Sequence, residues 1–258
     1  MLGQPDTTPY DLRFSLLGVP IRVHPAFWLV GVILGFDQTD PGRTLVWVAV
    51  LFVSILWHEM GHALASKGLG LRPSVLLYWM GGLCFSDRNR LPLPGRSAVI
   101  LGGPAAGLVL GLVTAAVGFA GAGMTLTDDL ALFGLGSGDS IAASWKIENE
   151  YLFSFYRSML FFNFGWTLVN LLPIWFLDGG QFLAERLCRR RRFEGMRQTH
   201  IVGMITAGLV ALWAASEQDM FLAIFFGLFA FNNFQQLQVL QRGRGAVDDP
   251  GDWWRGGR

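Results

Sequence analysis

Two histidines and a glutamate lie close together in an otherwise apolar segment, LFVSILWHEMGHALASKG, from Leu51 to Gly68. On an α-helix, His58 and His62 are one turn apart on the same face, about 6 Å along the axis, so both rings can reach one cation. Glu59 stands beside that cation without needing to bind it. This His-Glu-x-x-His pattern predicts two zinc ligands and a carboxylate that takes a proton from metal-bound water.

A catalytic zinc site usually has three protein ligands and one open position. Asp178 is an isolated acid that follows an apolar run and precedes two glycines, in the segment FNFGWTLVNLLPIWFLDGGQF. Pro173 must distort the helix before it, and non-helical backbone at membrane depth is tolerated where it faces protein or a wet cavity. The sequence therefore predicts a shaped turn that delivers Asp178 as the third ligand. The alternative is an acid that only ends a helix at the membrane interface.

The composition indicates a membrane protein. Of 258 residues, 52% are hydrophobic and 15% are charged, whereas about 25% are charged in typical soluble domains. Long apolar runs predict an all-α polytopic protein with about six transmembrane helices, at approximately residues 21–36, 44–66, 97–120, 152–172, 200–215 and 220–240. We expect a single domain over residues 1–258, with a polar cytoplasmic tail at 241–258. Short apolar runs broken by glycines predict a small β-hairpin-like segment at the membrane surface around residues 70–90.

Basic residues predict the orientation of these spans. Of 20 Lys and Arg, only Arg43, Lys146 and Arg157 lie in or beside the loops after the first and third spans. By the positive-inside rule, both termini and the active-site end are cytoplasmic, as expected for a multi-pass protein of a bacterial inner membrane. The net charge of +1 gives no support to a nucleic-acid partner. Cys84 and Cys188 are too few for a disulfide framework and are expected to be free thiols.

Several motifs occur together and in a fixed order. They are HEMGH in a membrane helix, GGP at residues 102–104 and NLLPIWFLDGG at residues 170–180. With the opening LLGVPIRVHPAFWL, they resemble the site-2 protease family of intramembrane zinc metalloproteases, in its compact six-helix form without a PDZ or CBS domain. The resemblance covers nearly the whole chain. Trp175 and Phe176 depart from the family pattern, which often has proline or smaller residues there.

The resemblance implies one Zn²⁺ per chain, bound by His58, His62 and Asp178. It implies that Glu59 is the catalytic acid/base. The residues expected to bind substrate or to shape the site are Asn170, Pro173 and Gly179.

The expected function is hydrolysis of peptide bonds in membrane-anchored proteins, with water activated by Glu59 at the zinc as the nucleophile. Relatives of this family cut single-span proteins in the lipid bilayer, such as anti-sigma factors or transcription-factor precursors. A transmembrane helix hides its carbonyl groups in hydrogen bonds, so a substrate must unwind. The hairpin around Gly81 is a candidate edge strand for the unwound substrate. Two alternatives remain, a metal transporter and a proteolytically silent homologue that acts as a membrane binding partner.

Overall fold

The computed structural model describes residues 6–133 and 146–245 and divides into two compact units, Met1–Val169 and Asn170–Arg258. Residues 246–258 of the predicted tail lie outside the described residues. Each unit has its own helices, and the metal-site motifs are distributed over both.

A four-stranded sheet belongs to the first unit. Its strands, in spatial order, are β1 (Leu12–Leu16), β2 (Val19–Val23), β3 (Ser74–Tyr78) and β4 (Gly81–Phe85). The first and last pairs are antiparallel, while β2 and β3 are parallel, with Ile21 opposite Val75. The β3–β4 hairpin confirms the segment predicted around residues 70–90. Strands β1 and β2 were not predicted, and the assignment of residues 21–23 to the first membrane span is wrong because these residues pair in β2.

The alternating burial of its side chains explains why β2 is a strand. Val19, Ile21 and Val23 are buried, whereas the residues between them are not, which is the period of a strand with one buried face. The tight turn before β2 places Leu17 at φ 50° and Gly18 at φ 72°. Both φ values are positive, as in the type I′ turns that connect two-residue hairpins, and leucine is rarely found there.

The helices of the first unit follow β2 in the sequence. Within residues 6–133 and 146–170 they are α1 (Pro25–Leu34), α2 (Pro41–Gly68), α3 (Leu93–Ala122), α4 (Leu126–Leu132), α5 (Glu150–Leu160) and α6 (Thr167–Asn170), whose last residue begins the second unit. A π-helical segment, Phe161–Trp166, joins α5 to α6, and a single 3₁₀ turn, Arg88–Arg90, precedes α3. Helix α2 packs against α3, α5, β3 and β4, so it lies at the centre of the unit.

Up to residue 245, the second unit has an irregular turn followed by three helices. These are α7 (Asp178–Leu187), α8 (Arg192–Ser216) and α9 (Met220–Gly245). Helices α8 and α9 pack along each other and are joined by a short turn in which Gln218 has φ 63°.

Among the described residues, four helices are long and apolar enough to cross a membrane, Pro41–Gly68, Leu93–Ala122, Arg192–Ser216 and Met220–Gln241. Helix α1 is apolar but has only 10 residues. The predicted span 152–172 is helical through Asn170 but widens to a π-helix on the way. The predicted class, a helical multi-pass membrane protein with a small hairpin, is confirmed, with a larger sheet than expected.

Candidate metal centre

Helix α2 presents the three chemical groups of the His-Glu-x-x-His motif on its buried side. His58, Glu59 and His62 are 4%, 6% and 8% exposed. The helix begins at Pro41, where the Asp40 carboxylate caps it by accepting from the Gly42 N–H at 2.8 Å. It continues without interruption through the motif, so the predicted one-turn spacing of the imidazoles is realised.

The two imidazoles are placed as ligands of one tetrahedral ion. Their Nε2 atoms are 3.3 Å apart. Two zinc–nitrogen bonds of about 2.0–2.1 Å at a tetrahedral angle put the nitrogens about 3.4 Å apart. The separation of His58 Nε2 and His62 Nε2 therefore fits the edge of a zinc tetrahedron.

The backbone of α3 fixes the tautomer of His62. His62 Nδ1 is 2.8 Å from the Val99 carbonyl oxygen. The Gly103 N–H lies 3.3 Å from the same nitrogen, but the contact with the carbonyl oxygen is the shorter one. A lone pair facing an oxygen at that distance would be repulsive, so Nδ1 carries the proton and donates a hydrogen bond to the Val99 oxygen. This leaves the lone pair on Nε2 free for a metal, which is the usual support of a ligating histidine.

Glycines of the GGP motif let α2 and α3 approach at this point. A Cβ on Gly61 would overlap the Gly102 carbonyl oxygen, and a Cβ on Gly102 would lie 2.7 Å from the Gly61 oxygen. The Trp57 indole N–H adds a hydrogen bond of 3.0 Å to the Ala106 carbonyl. Small residues at this point thus allow close packing of the two helices.

Gly103 has a second role that the sequence did not reveal. A Cβ there would overlap His62 Nε2 and lie 2.7 Å from His58 Nε2. Only a residue without a side chain leaves the space that both ligand atoms face. Gly103 thus keeps open the space that the two Nε2 atoms face.

Glu59 packs against the hairpin. A Cβ on Gly82 of β4 would lie 2.5 Å from Glu59 Oε1 and 2.6 Å from Cδ, so the carboxylate rests on the backbone of this strand. Burial, together with the negative charge of Glu59, raises the pKa of Tyr78 at the end of β3. The Tyr78 phenol therefore stays protonated beside the carboxylate at neutral pH.

In the second unit, Asp178 is the first residue of α7 and is 8% exposed. The glycine after it lies under the preceding turn, because a Cβ on Gly179 would overlap the Leu171 carbonyl oxygen and lie 2.6 Å from that of Leu172. Gly180 meets the backbone of Ile174 in the same way. The turn predicted before Asp178 is present. Its backbone lies so close to the start of α7 that Gly179 and Gly180 have no room for a Cβ.

The other residues expected to shape the site belong to this region too. Asn170 ends α6 and is 8% exposed, and Pro173 lies in the irregular turn that follows. The roles of Asn170 and Pro173 at the site stay predictions.

Several polar residues that the sequence left undecided have partners. Asn163, in the π-helical segment, donates through Nδ2 to Ser54 Oγ at 3.0 Å, one turn before His58 on α2. His24 caps α1 by accepting from the Ala26 N–H. His200 is 2% exposed and contacts Asn233, 33 residues away. Residues so far apart in the sequence give no local pattern from which their contact could be predicted.

Comparisons with known proteins agree with this arrangement. The model of peptidase family M50 matches residues 46–213. A zinc metalloprotease of Methanocaldococcus jannaschii is 31% identical over 110 residues, or 40% of this chain and 31% of that protein. Stage IV sporulation protein FB of Bacillus subtilis is 26% identical over 176 residues, or 67% of this chain and 50% of that protein. The chain thus spans about a third to a half of the length of these curated relatives.

A solved structure shares the fold. The site-2 protease from Methanocaldococcus jannaschii aligns with a TM-score of 0.55 and 22% sequence identity, covering 88% of this chain and 95% of that chain. The match includes most of both units.

Proposed function

The chain belongs to peptidase family M50, and from this premise we propose that it is an intramembrane zinc metalloprotease that hydrolyses peptide bonds of membrane-anchored proteins. The observation that carries the proposal is the placement of His58 Nε2 and His62 Nε2 at 3.3 Å, with Glu59 buried beside them. Two imidazoles and an adjacent carboxylate are the machinery of metal-assisted hydrolysis.

The proposed ligands of the single zinc ion are His58, His62 and Asp178. Each offers one ligand atom of the type that zinc prefers, and a catalytic site needs three such ligands and one open position. Asp178 is buried, and a buried carboxylate is costly unless it is paired or binds a metal. Asn170, Pro173 and Gly179 shape the turn around it.

Glu59 is the proposed acid/base. When bound, zinc supplies a Lewis acid that polarises the scissile carbonyl and lowers the pKa of water from about 15.7 to about 7. Glu59 Oε1 accepts the proton of the attacking water and then passes it to the leaving amine. Its contact with Gly82 holds the carboxylate in one direction, and its burial excludes bulk water from this proton.

We further propose that the unwound substrate pairs with β4. This strand is the last in the sheet, and its Gly82 touches Glu59, so a strand added there would run beside the acid/base. Main-chain hydrogen bonds would fix an extended segment largely independently of its sequence. This suits substrates that are single-span proteins, such as anti-sigma factors or transcription-factor precursors.

A proline in β4 tests this substrate strand. Tyr78 and Gly81 flank a two-residue turn, which makes them a hydrogen-bonded pair, so the alternate residue Cys84 directs its N–H away from β3. Cys84→Pro removes that donor and is expected to reduce cleavage about fivefold, because one main-chain hydrogen bond contributes about 1 kcal/mol. Zinc content stays at the wild-type level, and Cys84→Ala is the matched control. Normal cleavage by Cys84→Pro would remove the substrate strand from the mechanism.

The proposed location is the cell membrane, in a bacterial inner-membrane setting, with the active-site end and both termini cytoplasmic. Four helices of membrane-spanning length support a multi-pass protein. The orientation rests on the distribution of Lys and Arg.

The two alternatives are separated by one reconstitution experiment. The purified chain is placed in liposomes with candidate single-span proteins, and new peptide termini and zinc flux across the bilayer are both measured. We expect cleavage without zinc flux. Zinc flux without cleavage would establish a transporter, and stable binding of the single-span protein without cleavage would establish a silent homologue.

A further inference from the structure

Main-chain hydrogen bonds lie within the turn that carries Asp178. Between α6 and α7, the Ile174 N–H donates to the Leu172 carbonyl at 2.7 Å and the Leu177 N–H donates to the Ile174 carbonyl at 2.8 Å. The aromatic side chains of the turn add to these bonds. Those side chains contact α8 and α9.

Two aromatic residues anchor the turn on these helices. The Trp175 ring lies 5.3 Å from the His200 ring of α8, edge to face, at an interplanar angle of 61°. The next residue, Phe176, stacks on Phe229 of α9 at 6.0 Å and 15°.

A buried polar pair fixes the His200 ring. Asn233 Nδ2 donates to the Phe229 carbonyl at 2.8 Å, so its Oδ1 is an acceptor, and it lies 3.2 Å from His200 Nδ1. His200 therefore donates from Nδ1, and its ring plane is set by that bond. Both residues are buried, at 2% and 0% exposed.

Gly203 makes room for this pair. A Cβ there would lie 2.7 Å from Asn233 Oδ1 and 3.3 Å from the Ile174 Cα. The Asn233 carboxamide and the backbone of the turn therefore both contact α8 at Gly203. Apolar side chains would also fill this space, but they would leave the imidazole, and the indole against it, without a fixed direction.

We propose that His200 and Asn233 are positioning residues for Asp178, acting through Trp175 and the turn. The inference rests on the proposed function, in which Asp178 is the third zinc ligand. The path is short: Asn233 orients His200, His200 supports Trp175, and Trp175 is three residues before Asp178. Supporting groups of this kind typically change metal affinity by about 10–100-fold when removed.

The test is the zinc dissociation constant, measured by chelator competition on the purified full chain. Asn233→Leu is expected to weaken zinc binding about 10–100-fold. Asn232→Leu is the matched control, since the Asn232 side chain makes the same bond to a carbonyl four residues earlier, that of Leu228, at 2.8 Å. That variant keeps the wild-type dissociation constant.

A second comparison separates positioning from general stability. In an Asp178→Ala background, Asn233→Leu has no further effect on the residual zinc affinity, because the ligand that it positions is gone. An equal loss in both backgrounds would overturn the inference. His200→Asn keeps a donor near the place of Nδ1 and is expected to bind zinc more tightly than His200→Leu; equal weakening of the two would also overturn it.

Further variants also test the positioning role and the ligand assignment. If Asn233→Leu does not fold, Trp175→Leu removes the same contact from the turn side and is expected to weaken zinc binding with the same dependence on Asp178. Wild-type affinity of Asn233→Leu and Trp175→Leu, with Asp178→Ala weakened, would reject the positioning role alone. Wild-type affinity of Asp178→Ala would reject the ligand assignment and, with it, this inference.

Discussion

Glu59→Gln is expected to lose cleavage by about 10²–10⁴-fold while zinc stays bound. This is the range that a positioned general acid/base contributes. The amide has nearly the shape of the carboxylate, so the contact with Gly82 is retained. It has no site that takes a proton from water, and the two imidazoles that hold the metal are unchanged.

The measurement is cleavage of a co-expressed single-span protein, with zinc content determined on the same preparation. Glu217→Gln makes the same chemical change at an exposed position and is expected to cleave normally. Normal cleavage by Glu59→Gln with zinc bound would show that the proton passes through another group.

Gly103→Ala is expected to prevent stable zinc binding. The added Cβ would overlap His62 Nε2 and lie 2.7 Å from His58 Nε2, and both rings would have to turn away from their common point. Since His62 is also held by the Val99 carbonyl, its rotation breaks that hydrogen bond. We expect the dissociation constant for zinc to rise at least 100-fold, because both imidazoles are displaced together.

Gly121→Ala is the matched control on the same helix, because a Cβ there meets nothing within 4 Å. Away from contacts, alanine is favoured over glycine in a helix by about 1 kcal/mol, so this variant binds zinc normally. Wild-type zinc affinity in Gly103→Ala would mean that the space between the imidazoles is not the metal position.

The close placement of His58 and His62 could be predicted from the sequence alone. The spacing of His58 and His62 is a property of one helix, and a helix conserves that spacing wherever it is placed. The prediction of a turn before Asp178 also succeeds, because Pro173 and the two glycines constrain the backbone locally. The hairpin at Gly81 and Gly82 follows from equally local signals.

Features that depend on distant contacts were missed. Strand β2 pairs with β3 across more than fifty residues, and its turn places a leucine at positive φ, which sequence patterns argue against. Gly103 looks like any small residue at a helix contact until the two imidazoles are positioned opposite it. His200 and Asn233 lie on two different helices, and no fixed spacing in the sequence predicts a contact between residues of different helices.

Zinc K-edge X-ray absorption of the purified chain, with Asp178→Ala alongside, tests the central claim most directly. The account predicts one zinc per chain, with two imidazole nitrogens at about 2.0–2.1 Å and carboxylate or water oxygens at about 2.0–2.2 Å. Asp178→Ala changes the oxygen contribution and leaves the imidazole signal. A sulfur ligand at about 2.3 Å, or a spectrum that Asp178→Ala leaves unchanged, would contradict the assignment of His58, His62 and Asp178 as the ligands.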